Sequence, residues 1–227
     1  MRQRLCFFSL LAAAGLVSAV PASPYLTSAT YLGIVDTYAA CPDKYGAVVF
    51  AGDSLIDRFP VDEFFVPTIV LNRGISGDEI EGVTLRAAEL KRHRPRLIVL
   101  QVGINDLLIL QRTPTQILTD YAVLLEKLKP CPVLVCGLLP LNAARAVGFT
   151  VTPAIETARV EVNVGLKALE DGLIVRYFDP TPTFGEELDP NFTRDGLHPN
   201  GAGYRRWAEG LRPYLKWAEW LAGKPNA

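Results

Sequence analysis

Histidine and serine are scarce in this chain. It has two histidines, His93 and His198, and beyond residue 30 only two serines, Ser54 and Ser76. A chemistry that couples a hydroxyl to an imidazole therefore has very few partners. Neither sign of charge is in excess: 23 Lys and Arg face 24 Asp and Glu, a formal net charge of −1. That balance offers nothing to nucleic acid or to an anionic membrane surface, and it directs attention to a small-molecule partner. The four cysteines form no Cys-x-x-Cys pair, so the spacing of a structural zinc site is missing. No metal and no other cofactor is expected.

A membrane-spanning run is lacking as well. The apolar stretch from Leu5 to Val17 has thirteen residues, short of the roughly 20 that cross a bilayer. Basic residues precede it in Met1-Arg2-Gln3-Arg4, and small residues follow in Val17-Ser18-Ala19 and Val20-Pro21-Ala22. This is the layout of a secretory signal peptide, residues 1–22, cleaved after residue 19 or 22. The mature protein, 23–227, is then expected to be secreted or periplasmic, with no stable membrane anchor. Export permits disulfides, and Cys41, Cys131 and Cys136 remain. On a strand Cys131 and Cys136 face opposite sides, which makes Cys41 with Cys131 the better pair, but free buried thiols are the simpler expectation.

With 227 residues, 49% of them hydrophobic, the chain can bury one substantial core, and a single domain is the default. Residues 47–51, 68–72, 96–103, 132–139 and 173–179 are short runs rich in β-branched and aliphatic residues. They are nearly continuous in hydrophobicity rather than alternating, which suits strands buried on both faces. Between them, 78–93, 114–129 and 153–171 carry apolar residues near helical spacing, and a last helix is expected over 200–221. Pro114 and Pro153 stand where first helical turns begin. Alternation of strand and helix predicts an α/β protein, a three-layer α/β/α sandwich on a parallel five-stranded sheet. Trp207, Trp217 and Trp220 suit packing on the chain's own core, and assembly as a monomer or a homodimer stays open.

Ligands of an open parallel sheet bind beyond the carboxyl ends of its strands. After the first strand comes Gly52-Asp53-Ser54, after the second Asn72-Arg73-Gly74, and after the third Gly103-Ile104-Asn105-Asp106. Before the last helix, "TRDGLHPNGAGY" brings Asp195 and His198. Acyl transfer needs a nucleophile, a base, a group that orients the base, and preorganised donors for the oxyanion. Ser54 is the expected nucleophile, His198 the base and then acid, and Asp195 the orienting carboxylate. The Ser54 N–H, the Gly74 N–H and the Asn105 amide are the expected oxyanion donors. Asp53 is expected to hold its turn by accepting backbone N–H groups. His93, within "KRHRPR", is read as a solvated basic helix end, and Ser76 as a helix cap. Arg145, Phe149 and Phe184 are candidate pocket walls.

The segments "FAGDSLID", "NRGISGD", "VGINDL" and "DGLHPNGAGY" resemble blocks I, II, III and V of the GDSL/SGNH hydrolase superfamily. The second and last are most similar to bacterial esterases related to the platelet-activating-factor acetylhydrolase catalytic subunits. The resemblance implies a flavodoxin-like sheet and a metal-free Ser-His-Asp esterase, with Ser54, Gly74, Asn105, Asp195 and His198 in the roles above. Asp57, three residues after the serine, stands where threonine is frequent. The expected function is hydrolysis of short-chain, acetyl-type esters, with a small-molecule ester or an acylated carbohydrate as substrate. A thioesterase or lysophospholipase acting on longer chains is the second reading, and a non-catalytic carbohydrate-binding domain the third.

Overall fold

The computed structural model describes residues 23–222, so the expected signal peptide lies outside the described residues. In chain order the elements are α1 (Ala29–Ala40), β1 (Val48–Gly52), α2 (Ser54–Asp57), α3 (Val61–Phe64), β2 (Val70–Gly74), α4 (Ile80–Leu85), α5 (Ala87–Arg92), β3 (Leu97–Gln101), α6 (Ile104–Leu108), α7 (Pro114–Leu128), β4 (Val133–Cys136), α8 (Pro153–Ala168), β5 (Val175–Phe178), α9 (Thr181–Phe184) and α10 (Gly201–Ala222). The strands form one parallel sheet in the order β2-β1-β3-β4-β5. Strand order reverses between β1 and β3, and it is at such a switch point that doubly wound sheets bind their ligands.

The layers follow from handedness. Connections that step toward β5 carry α4, α5, α7 and α8, and right-handed crossovers put them together on one face. The β1–β2 connection steps the other way and puts α2 and α3 on the opposite face. There α10 joins them: Phe59 stacks on Tyr204 at 4.9 Å and on Trp207 at 5.2 Å between ring centroids. Every residue of β1 and β3 is buried, as their unbroken hydrophobicity implies. Thr113 caps α7 in a reciprocal box with Gln116, Thr152 caps α8, and Pro114 and Pro153 hold the first helical positions.

Several expectations need correction. The helix expected over 78–93 is two short helices, α4 and α5, broken at Arg86 (φ −97°, ψ 12°), whose guanidinium turns inward onto Asp78 at 2.7 Å. Helix α1, capped by Ser28, carries no amphipathic pattern that would have marked it in the sequence. His93 is not solvated: it is fully buried, its Nδ1 faces the Lys44 N–H at 3.2 Å, and its Nε2 faces Glu89 at 3.1 Å. Phe184 is no pocket wall but a core residue packed edge-on against Trp207. Cys41 and Cys131 do not pair; with Cys136 they are free thiols, and of the three only Cys136 is fully buried.

Candidate active site

Strand register brings the expected segments together. Gly52 is level with Gly74 of β2 on one side and with Gln101 of β3 on the other. The residues following these three therefore emerge at one edge. Asp53 caps α2, accepting from the Leu55 N–H at 2.9 Å, as its place in the turn suggested. Ser54 is the first residue of α2, and its own N–H has no partner among the described residues. Burial pushes the Asp53 carboxyl up to about 8, against the Leu55 N–H, which pulls it down. At neutral pH this neighbour of the serine is largely protonated and uncharged.

His198 arrives from the loop before α10. Tyr204 on α10 donates to the Leu55 carbonyl at 3.1 Å, which ties that helix to α2. Thr193 shapes the loop, donating to the His198 carbonyl at 3.0 Å while accepting from the Gly196 N–H at 2.9 Å. The His198 Nε2 lies 2.9 Å from Ser54 Oγ, and its Nδ1 lies 2.7 Å from Asp195 Oδ2. The other Asp195 oxygen accepts the His198 and Leu197 N–H groups at 2.8 and 3.1 Å. Asp195 is burdened by partial burial, yet these N–H groups and the imidazole hold its carboxyl below the ordinary value. An ionised Asp195 requires a proton on Nδ1, which leaves Nε2 as an acceptor for the serine hydroxyl. Burial lowers the His198 pKa, Asp195 opposes this, and Arg58 and Arg194 add to the lowering, so the imidazole is mostly neutral at pH 7.

Asn105, in the first turn of α6, is buried, and its amide nitrogen donates to the Asp78 carbonyl at 2.8 Å. Its second amide proton has no partner among the described residues. Gly74 plays a different part from the one expected. Its N–H already donates to Asn72 Oδ1 at 2.8 Å, while the Asn72 nitrogen holds the Ile56 and Phe59 carbonyls. A Cβ at Gly74 would lie 2.1 Å from the Asp57 nitrogen, so the glycine is required where α2 crosses the end of β2. Directly after it, Ile75–Asp78 form a turn closed by the Asp78 N–H on the Ile75 carbonyl at 2.9 Å. Gly77 takes the left-handed position of this turn, φ +86°, the type II pattern. Its N–H makes no hydrogen bond among the described residues, and the next residue in the chain is Asp78, whose carbonyl holds Asn105. The sequence signal was the second glycine of "GISGD".

Ser76 is not a helix cap. Its hydroxyl donates to Asp57 on α2, while Asp106 Oδ2 accepts from the Ile80 N–H at 3.2 Å and so caps α4 in its place. Of the other candidate wall residues, Arg145 is exposed and Phe149 half-buried. Both lie beyond Asn142, in a segment that braces the histidine loop through Asn142 N–H to the Gly196 carbonyl at 2.9 Å and Val147 N–H to the Asp195 carbonyl at 3.2 Å.

A flavodoxin-like sheet with a serine, an imidazole and a carboxylate hydrogen-bonded in series at its switch point is the arrangement of a serine-type hydrolase. The chain belongs to the GDSL-like lipase/acylhydrolase family, whose sequence pattern matches residues 39–206. Over 105 residues it is 37% identical to the alpha1 subunit of platelet-activating factor acetylhydrolase IB from Rattus norvegicus, and equally to that of Mus musculus; the match covers 43% of this chain and 45% of each relative. The chain thus spans about half the length of the curated relatives it matches. In fold it is similar to a GDSL-like lipase from Bacteroides thetaiotaomicron (TM-score 0.66, 21% identity, 83% of this chain and 98% of that one). An acetylxylan esterase from Geobacillus stearothermophilus is also similar (TM-score 0.60, 16% identity, 75% and 94%).

Proposed function

We propose that the protein is an exported serine esterase that removes short acyl groups, acetyl foremost, from carbohydrates or small esters through an acyl-enzyme on Ser54. The observation that carries this reading is the unbroken series from Ser54 Oγ to His198 Nε2 at 2.9 Å and from His198 Nδ1 to Asp195 at 2.7 Å. His198 takes the hydroxyl proton as Ser54 attacks the ester carbonyl. The developing oxyanion is held by the Ser54 N–H, the Gly77 N–H and the free proton of the Asn105 amide. Asp195 keeps the imidazole in its working tautomer and stabilises its charged form. Protonated His198 then gives its proton to the leaving alcohol, and a water deprotonated by the same Nε2 releases the acyl group. The acetyl preference draws support from the names of the relatives, an acetylhydrolase subunit and an acetylxylan esterase. Export draws support from the layout of residues 1–22.

Because the neutral imidazole is the base, kcat/KM is expected to rise with pH as His198 loses its proton and then to level off. Its pKa is lowered by burial from the ordinary 6.5, so the midpoint of this acid limb is expected below 6.5. A midpoint well above that value would show that Asp195 outweighs burial at His198, and the absence of any acid limb would remove His198 as the base. Acyl preference is tested with p-nitrophenyl esters of increasing chain length and with O-acetylated oligosaccharides, after confirming that a fluorophosphonate labels Ser54. Turnover is expected to peak at acetate or butyrate and to release acetate from the sugars. A maximum near decanoate, or on acyl-CoA, would transfer the reading to a lysophospholipase or thioesterase.

A further inference from the structure

The segment Ser23–Ala40, which lies almost wholly ahead of the family-matched residues 39–206, straps over the turn that follows β2. Leu26 and Tyr31 enclose Ile75 in a small apolar cluster, flanked by Tyr25 and Tyr38. Two hydroxyls reach the turn. Tyr38 donates to the Gly74 carbonyl at 2.7 Å, and Tyr25 donates to the Ser76 carbonyl. The Tyr25 ring is held edge-on to Tyr31, 5.4 Å between centroids, and lies within 3.0–3.3 Å of where a Cβ on Gly77 would stand.

The Ser76 carbonyl and the Gly77 N–H belong to one planar trans peptide, in which they point in opposite directions. Whatever fixes the carbonyl fixes the N–H. This is also the central peptide of the Ile75–Asp78 turn. Rotating it by about half a turn interconverts type I and type II geometry, and glycine at the third position permits both. We propose that Tyr25 is a positioning residue for ester hydrolysis: its hydroxyl bond to the Ser76 carbonyl holds the Gly77 N–H toward the oxyanion. The same bond polarises the amide and makes its N–H a stronger donor. Ser76 assists through its side chain, which ties the turn to Asp57 on the nucleophile's own helix. The inference rests on the reading of Gly77 as an oxyanion donor.

Tyr38 supplies the control. Its bond falls on the Gly74–Ile75 peptide, whose N–H is already held by the Gly52 carbonyl at 2.9 Å, so losing the hydroxyl frees no oxyanion donor. Tyr25→Phe is expected to lower kcat on p-nitrophenyl acetate about 10-fold with KM within about twofold, short of the roughly 10²- to 10³-fold that loss of a whole donor costs. Fluorophosphonate labelling of Ser54, which also builds charge on an oxygen, should slow by the same factor. The acid limb of the pH profile should not move. Tyr38→Phe should keep kcat within about twofold at a comparable shift in melting temperature. Wild-type kcat and labelling rate in Tyr25→Phe, or an equal loss in Tyr38→Phe, would overturn the proposal. If Asn105→Ala is impaired while Tyr25→Phe is not, the oxyanion site stands and the role of Tyr25 at Gly77 fails; if Asn105→Ala is also unimpaired, the oxyanion reading beneath it fails.

Discussion

Ser54→Ala and His198→Ala are each expected to lower kcat on p-nitrophenyl acetate by roughly 10⁴- to 10⁶-fold. Without the hydroxyl there is no acyl-enzyme, and without the imidazole the hydroxyl keeps its proton at neutral pH. The alternatives are few. The other histidine, His93, is fully buried against Lys44 and Glu89, and the one other serine beyond residue 30, Ser76, is spent on Asp57. Neither stands in for its counterpart. Because the two residues act as one unit, the double variant should be hardly worse than either single one. Stability should change little, because the cap of α2 is Asp53, not Ser54, and α10 is anchored by the Tyr204 hydroxyl and the ring stack on Phe59. Steady-state turnover beside a thermal melt makes the test. Turnover within about tenfold of wild type in either well-folded variant would dismiss the assignment, since no remaining mechanism is that efficient.

Asn105→Ala is the second large effect. Removing one preorganised oxyanion donor costs about 10²- to 10³-fold in kcat, or about 2.7–4 kcal/mol of transition-state stabilisation. The amide is buried and already oriented by its bond to the Asp78 carbonyl, so its free proton needs no rearrangement during reaction. KM should move little, because a ground-state carbonyl draws less on these donors than an oxyanion does. The lost bond to Asp78 should cost about 1 kcal/mol of stability. Asn105→Asp separates the two contributions: it keeps the size of the side chain but turns a donor into an acceptor, and it should be at least as slow as Asn105→Ala. Unchanged kcat in Asn105→Ala would take the amide out of the mechanism.

Much of this was legible in the chain. Hydrophobic runs without alternation specify strands buried on both faces, and five of them separated by helical segments leave few topologies other than a doubly wound parallel sheet. Once the sheet is parallel, the residues after each strand share one edge, so Ser54, Asn105 and the Asp195–His198 pair could be grouped before any coordinates. What escaped were features set by long-range contacts. His93 resembles a solvated residue because its sequence neighbours are basic, but the Lys44 N–H, brought in from ahead of β1, closes over it while Glu89, one turn back on α5, faces its other nitrogen. Helix α1 has no amphipathic period because much of its surface stays exposed, with Tyr31 its one fully buried residue.

The two glycines after β2 mark the division most clearly. The sequence by itself determined that a glycine-bearing turn follows the strand beside Ser54, since that depends on local composition and on the order of elements. Which of its N–H groups is free was decided only in three dimensions. Gly74 is engaged by Asn72 and crowded by α2, whereas Gly77 stands in a left-handed turn with its N–H unpaired among the described residues and its peptide held by Tyr25. The two are the same residue type three positions apart, and they differ only through side chains and backbone that the fold brings in from elsewhere.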